Sequence, residues 1–88
     1  MTRVTVYSTG ACPICVKAKA ALQRWGIPFR EVRIDLDRAA LREFAAATNG
    51  ARSVPQILID GKHIGGFSEL TELHMDGELD ALANPKDS

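Results

Sequence analysis

The chain has 88 residues, 45% of them hydrophobic and 25% charged, and its 11 Lys/Arg balance 11 Asp/Glu to a formal net charge of zero. That is room for one globular domain near the lower end of comfortable size, read as residues 1–83 with a polar, frayed tail at 84–88. Lys and Arg are spread along the chain, which argues against a nucleic-acid binder, and no apolar run nears the roughly 20 residues that span a bilayer.

The N-terminus goes straight into an alternating pattern. It lacks the apolar stretch of a signal peptide, so a cytoplasmic location is expected. Arg3 to Tyr7 alternates with Val4 and Val6 on one face, which predicts a strand. A loop, Ser8-Thr9-Gly10-Ala11, leads to a helix that opens at the cysteines. Pro13 suits its first turn, where a missing N–H costs nothing. Cys15, Ala18, Leu22 and Trp25 share a stripe, with Lys17, Gln23 and Arg24 facing away. Gly26 and Pro28 end the helix.

Phe29 to Ile34 reads as a second strand. Asp35 and Asp37 can cap a second helix with Leu41, Phe44 and Ala45 inward, and Asn49-Gly50 stops it. Gln56 to Ile59, Asp60-Gly61 and Lys62 to Ile64 form a hairpin pattern. Gly65-Gly66 breaks it, Ser68 can cap a third helix with Leu70 and Leu73, and a short helical turn can cover Glu78 to Leu82. The order β-α-β-α-β-β-α predicts an α/β domain. Its first crossover should be right-handed, joining parallel strands.

Two cysteines do not make a disulfide framework, and here they sit three positions apart as Cys12-Pro13-Ile14-Cys15. Such a pair closes too short a loop to gain much chain-entropy stabilisation, so a bond between them serves chemistry rather than stability. The first cysteine lies at a helix N-terminus, where unpaired N–H groups and the macrodipole favour an anion. Its thiol pKa falls, and the thiolate is the form that attacks disulfides. Buried structural cysteines would leave Pro13 and the spacing a coincidence. Zinc wants four ligands, and His63 and His74 lie in unrelated elements, where each reads as a surface residue. After a strand, opening a helix, the pair reads as a thioredoxin-like redox motif.

Three segments sharpen this: Cys12-Pro13-Ile14-Cys15, then Ser53-Val54-Pro55-Gln56-Ile57, then Gly65-Gly66-Phe67-Ser68-Glu69-Leu70. Together, at these spacings, they resemble the dithiol glutaredoxins, above all the short bacterial type, over nearly the whole chain. The resemblance implies a thioredoxin-like fold with a four-stranded mixed sheet of order 2-1-3-4, flanked by helices. It implies glutathione as co-substrate, no permanently bound cofactor and no metal. The partners it implies are disulfide-bonded or glutathionylated proteins, with ribonucleotide reductase as one candidate; a monomer is the default expectation. Catalysis would rest on Cys12 and Cys15. Glutathione would meet Ile14, Arg52, Ser53, Val54, Pro55, Gly66, Phe67 and Ser68.

Pro55 would be cis on this resemblance, although only about 5–6% of X–Pro bonds are. It offers no N–H, so the Val54 backbone is left to pair with an extended peptide. Gly65-Gly66 would let substrate backbone approach, and the Phe67 and Ser68 N–H groups would face a carboxylate. The sequence departs from the family at Thr9, where many members carry lysine. Arg52 is the candidate replacement for that charge. Ile14 stands where a tyrosine is frequent, and Ser68-Glu69 where an acidic pair is frequent. Two rival readings keep the fold. One is a redoxin reduced by thioredoxin reductase and serving ribonucleotide reductase, against which Val54-Pro55-Gln56 and Gly65-Gly66 speak. The other is a carrier bridging an iron–sulfur cluster between two chains, against which Pro13 speaks.

Overall fold

The strongest β pattern in the chain, Val4–Ser8 (β1), lies at the centre of the sheet and is buried along almost its whole length. The computed structural model describes residues 3–83, so the tail at 84–88 lies outside the described residues. Chain order is β1, α1 (Pro13–Arg24), β2 (Phe29–Arg33), α2 (Arg38–Thr48), β3 (Gln56–Ile59), β4 (Lys62–Gly65), α3 (Phe67–Met75) and α4 (Asp80–Ala83). The sheet has the order β2-β1-β3-β4. β1 runs parallel to β2, with Val4 opposite Phe29 and Ser8 opposite Arg33. It runs antiparallel to β3, with Tyr7 opposite Gln56. The Asp60-Gly61 turn has φ of 54° and 81°, the left-handed pair that a two-residue hairpin loop requires. β3 and β4 pair antiparallel around it, with an irregularity between Ile57 and Leu58.

Alternation splits the core in two, because successive side chains of a strand point to opposite faces. Val4, Val6 and Ile57 meet Leu22, Ile27, Leu70, Leu79 and Leu82 on the α1–α3 face. Tyr7, Val32 and Leu58 meet Phe44 on the α2 face. Leu22 is fully buried, and a buried leucine of this kind contributes about 2–5 kcal/mol relative to alanine.

Two expectations are corrected. Leu41 and Ala45 do not face inward, Leu41 being 49% exposed; Phe44 is buried as expected, and Thr48 is buried with it. The Phe44 ring meets Tyr7 edge-on at 5.4 Å, which turns α2 by one residue and moves Leu41 to the rim. Thr48 is tolerated inside because its hydroxyl donates to the Phe44 carbonyl and accepts from the Ala51 N–H. Trp25, the C-cap of α1, continues the stripe as expected: it packs against the Leu22 core, and its ring stacks on His74 at 3.7 Å. Ser68 is not the cap of α3. Gly66 occupies that position, and the Glu69 carboxylate accepts its N–H at 2.8 Å.

Candidate active site

β1 ends at the fully buried Ser8, and four residues later the chain reaches the tip of α1. Cys12 is the N-cap, in extended backbone, and its sulfur accepts the Cys15 N–H at 3.1 Å. Pro13 occupies the first helical position. The structure pairs Cys12 with Cys15, their Cα atoms 5.2 Å apart. Cys15 is fully buried, whereas Cys12 is half-buried and within reach of solvent. Of the two sulfurs, that of Cys12 is thus the one a molecule in solvent can reach, and that of Cys15 lies one turn along behind it. The first-turn N–H groups of α1 stand where a Cys12 thiolate would need them, and no acidic residue occupies that turn.

The approach to Cys12 is tied to β2 and α1 at two points. Ser8 donates its hydroxyl to Glu31 at 2.7 Å, and Lys19 donates to the same carboxylate oxygen at 2.7 Å. The bonds from Lys19 and then Ser8 hold the Glu31 carboxyl below its usual range. Two residues on, the Gly10 N–H donates to Asp35 at 3.0 Å, and Arg33 grips that carboxylate with two bonds of 2.8 Å. Arg33 first, and the Gly10 N–H next, hold the Asp35 carboxyl far below the ordinary carboxylate range. A Cβ on residue 10 would displace the Arg33 guanidinium from its present place.

Beside the cysteines lies an open groove of about 530 Å³. Ile14 and Lys17 form one wall from α1. Ser53, Val54, Pro55 and Gln56 form the floor, and Gly66, Phe67, Ser68 and Glu69 the far wall. The Cys12 sulfur lies 3.7 Å from the Val54 carbonyl oxygen, which puts that sulfur at the groove's edge. The Val54–Pro55 peptide is cis. A Cβ on Gly66 would stand 3.3 Å from the Pro55 carbonyl oxygen, so the two walls meet closely there. The bond from the Gly66 N–H holds the Glu69 carboxyl below its usual range.

Seven of the eight residues nominated from sequence to meet glutathione line this one groove. Arg52 does not: it is exposed and outside the lining. Lys17, Gln56 and Glu69 are the lining residues that sequence reasoning missed. Two had a readable signal. Lys17 stands three residues after Ile14 and therefore shares its side of α1. Glu69 stands three residues after the Gly66 cap, the spacing of a carboxylate that reaches back to a cap N–H. Neither histidine meets the cysteines. His74 stacks on Trp25, and His63 bonds Gln56 at 2.7 Å.

Residues 4–64 match the family model for glutaredoxin. The chain belongs to the glutaredoxin family. It is 44% identical to glutaredoxin 3 of Escherichia coli strain K12 over 82 residues, covering 93% of this chain and 98% of that one. Among solved structures, wheat glutaredoxin superposes with a TM-score of 0.78 at 32% identity, covering 96% of this chain and 81% of the other. A buckwheat glutaredoxin–glutathione complex gives 0.73 at 28% identity, covering 94% and 77%. The fold is that of the thioredoxin-like superfamily, and the family is one of oxidoreductases. No described helix is long and apolar enough to cross a membrane.

Proposed function

We propose that this glutaredoxin-family protein is a glutathione-dependent thiol–disulfide oxidoreductase. Its substrates would be protein disulfides and glutathione mixed disulfides, met in the cytoplasm. The observation that carries the reading is the placement of a helix-capping cysteine, half-open to solvent, on the edge of a groove floored by Val54 and Pro55. The buckwheat relative, solved as a glutathione complex, supports the choice of co-substrate.

The Cys12 thiolate attacks the glutathione sulfur of a mixed disulfide. A new S–S bond forms, the old one breaks, and the protein thiolate leaves and takes up a proton. A glutathione thiolate then attacks the Cys12-bound sulfur and departs as oxidised glutathione. With a protein disulfide, Cys12 first forms a mixed disulfide with the substrate, and Cys15 attacks Cys12 to release it. Two glutathiones then restore the dithiol. The family is poised at about −200 to −230 mV, near the cytosolic glutathione couple, so the direction follows cellular supply.

Glutathione, an extended tripeptide, would lie along the groove with its backbone on Val54. One carboxylate would face the Phe67 and Ser68 N–H groups at the start of α3. Lys17 supplies a cation from the α1 wall of the groove. The deciding experiment is turnover of a glutathione mixed disulfide with glutathione, its reductase and NADPH, run beside thioredoxin reductase. Turnover only with thioredoxin reductase would replace this reading with the rival redoxin. A visible chromophore in anaerobically purified protein would move it toward cluster carriage.

A further inference from the structure

Gln56 is a polar residue, buried to 8% exposure, in a strand that otherwise reads Ile-Leu-Ile. Its side-chain nitrogen donates to the Ser53 carbonyl at 3.1 Å and to the Ser53 hydroxyl at 3.2 Å. A carbonyl oxygen can only accept, so the amide nitrogen must face Ser53. The amide oxygen then faces His63 Nε2 at 2.7 Å. That oxygen also can only accept, so His63 must carry its proton on Nε2. The neutral ring with that tautomer and the imidazolium both satisfy the bond. A chain of donors therefore runs from β4 through β3 to the loop before Pro55.

The far end of the chain reaches more than Ser53. The Ser53 C=O and the Val54 N–H belong to one trans peptide unit, planar and rigid, with the two groups pointing in opposite directions. Fixing the carbonyl aims the N–H. Within the described residues the Val54 N–H makes no hydrogen bond, and Pro55 after it has none to offer. We propose that His63 and Gln56 are positioning residues that aim the Val54 N–H into the groove, ready for the backbone of an extended peptide substrate. This rests on the glutathione reading above for its substrate, but the aiming itself is a property of the free protein. Without His63 the Gln56 amide oxygen loses its donor, so the side chain is held at the Ser53 end alone and its grip on that carbonyl loosens.

The test compares wild type with His63→Ala, an exposed position whose truncation leaves no cavity. His63→Gln restores an N–H donor of similar reach, and Gln56→Met removes the amide at similar volume. In the ligand-free oxidised protein, the Val54 amide resonance should shift in His63→Ala and return in His63→Gln. In turnover, KM for a glutathionylated peptide should rise about tenfold in His63→Ala and Gln56→Met, as expected for one lost, well-formed hydrogen bond. Both kcat and the rate of Cys12 alkylation by iodoacetamide should stay unchanged. An unmoved Val54 resonance and an unmoved KM overturn the proposal. A fall in alkylation rate matching the change in KM would also overturn it, because the effect would then be on the thiol. Failure of the wild type to use any glutathione substrate sinks the functional reading instead, and the Val54 resonance still judges the aiming.

Discussion

The tip of α1 and the groove beside it differ in how they are assembled. The tip is local: Cys12, Pro13 and Cys15 are consecutive or nearly so, and the N–H groups that serve the sulfur belong to the same turn. The groove is collected from α1, the Ser53–Gln56 segment that enters β3, and the start of α3, three stretches far apart in the chain. On the proposed function, bond-making is thus placed where one helix builds most of the arrangement. On the same reading, recognition is placed where distant segments must meet. Damage to the tip should abolish turnover outright, and damage to the groove should be graded.

The largest effects break the tip. Cys12→Ser should lose all turnover on every disulfide substrate, measured by NADPH consumption in the coupled assay. Cys15→Ser should separate two activities: deglutathionylation survives, and reduction of a protein disulfide falls to background. Loss of both would mean that the second sulfur does more than resolve.

A smaller effect is expected where the tip is moored. Asp35→Ala removes the acceptor of the Gly10 N–H and frees Arg33. Cys12 alkylation at neutral pH should slow about fivefold, with Asp35→Asn recovering part of the rate because its amide oxygen still accepts. An unchanged rate would show that the helix alone sets the cysteine. Gentler still is the groove's charge. Lys17→Glu should raise KM for glutathionylated substrates about three- to fivefold, in the range of exposed ionic interactions, and high salt should narrow the gap. Arg52→Ala, outside the groove, should match wild type. The reverse ranking would return the missing lysine's role to Arg52.

The mildest effect is on pH. The Glu69 carboxyl is held low by the Gly66 N–H, so its folded pKa lies below its unfolded value near 4.5. Stability from this bond is complete above that value and is lost as pH falls through the folded pKa. Acid unfolding of Glu69→Gln should therefore be less steep below about pH 4.5 than that of wild type.

Legibility in the sequence follows the same division. The element order, the hairpin turn and the cysteine cap were all readable because each depends on nearby residues. Asp60-Gly61 demands one turn geometry, and Pro13 tolerates one helical position. Seven groove residues were readable only through the family resemblance, since nothing in their spacing says that Ile14 faces Phe67. What was misread depends on tertiary choice. An alanine-rich helix such as α2 offers several weak stripes, and the meeting of Phe44 with Tyr7 selects one. Ser68 is a better cap than glycine by intrinsic preference, yet the chain turns at Gly66, where a Cβ would crowd the Pro55 carbonyl. Lys17 looked solvent-facing because the groove that it borders belongs to distant segments.

The stacked Trp25 and His74 rings carry a practical consequence. Trp25 is the only tryptophan, and it sits past the C-terminal end of a twelve-residue helix whose opposite end holds the cysteines, about 18 Å away along the axis. Its emission will report whether α1 and α3 remain docked, while staying blind to the oxidation of the sulfurs. The protein therefore carries a native optical gauge of unfolding that can be read during a redox titration without crosstalk.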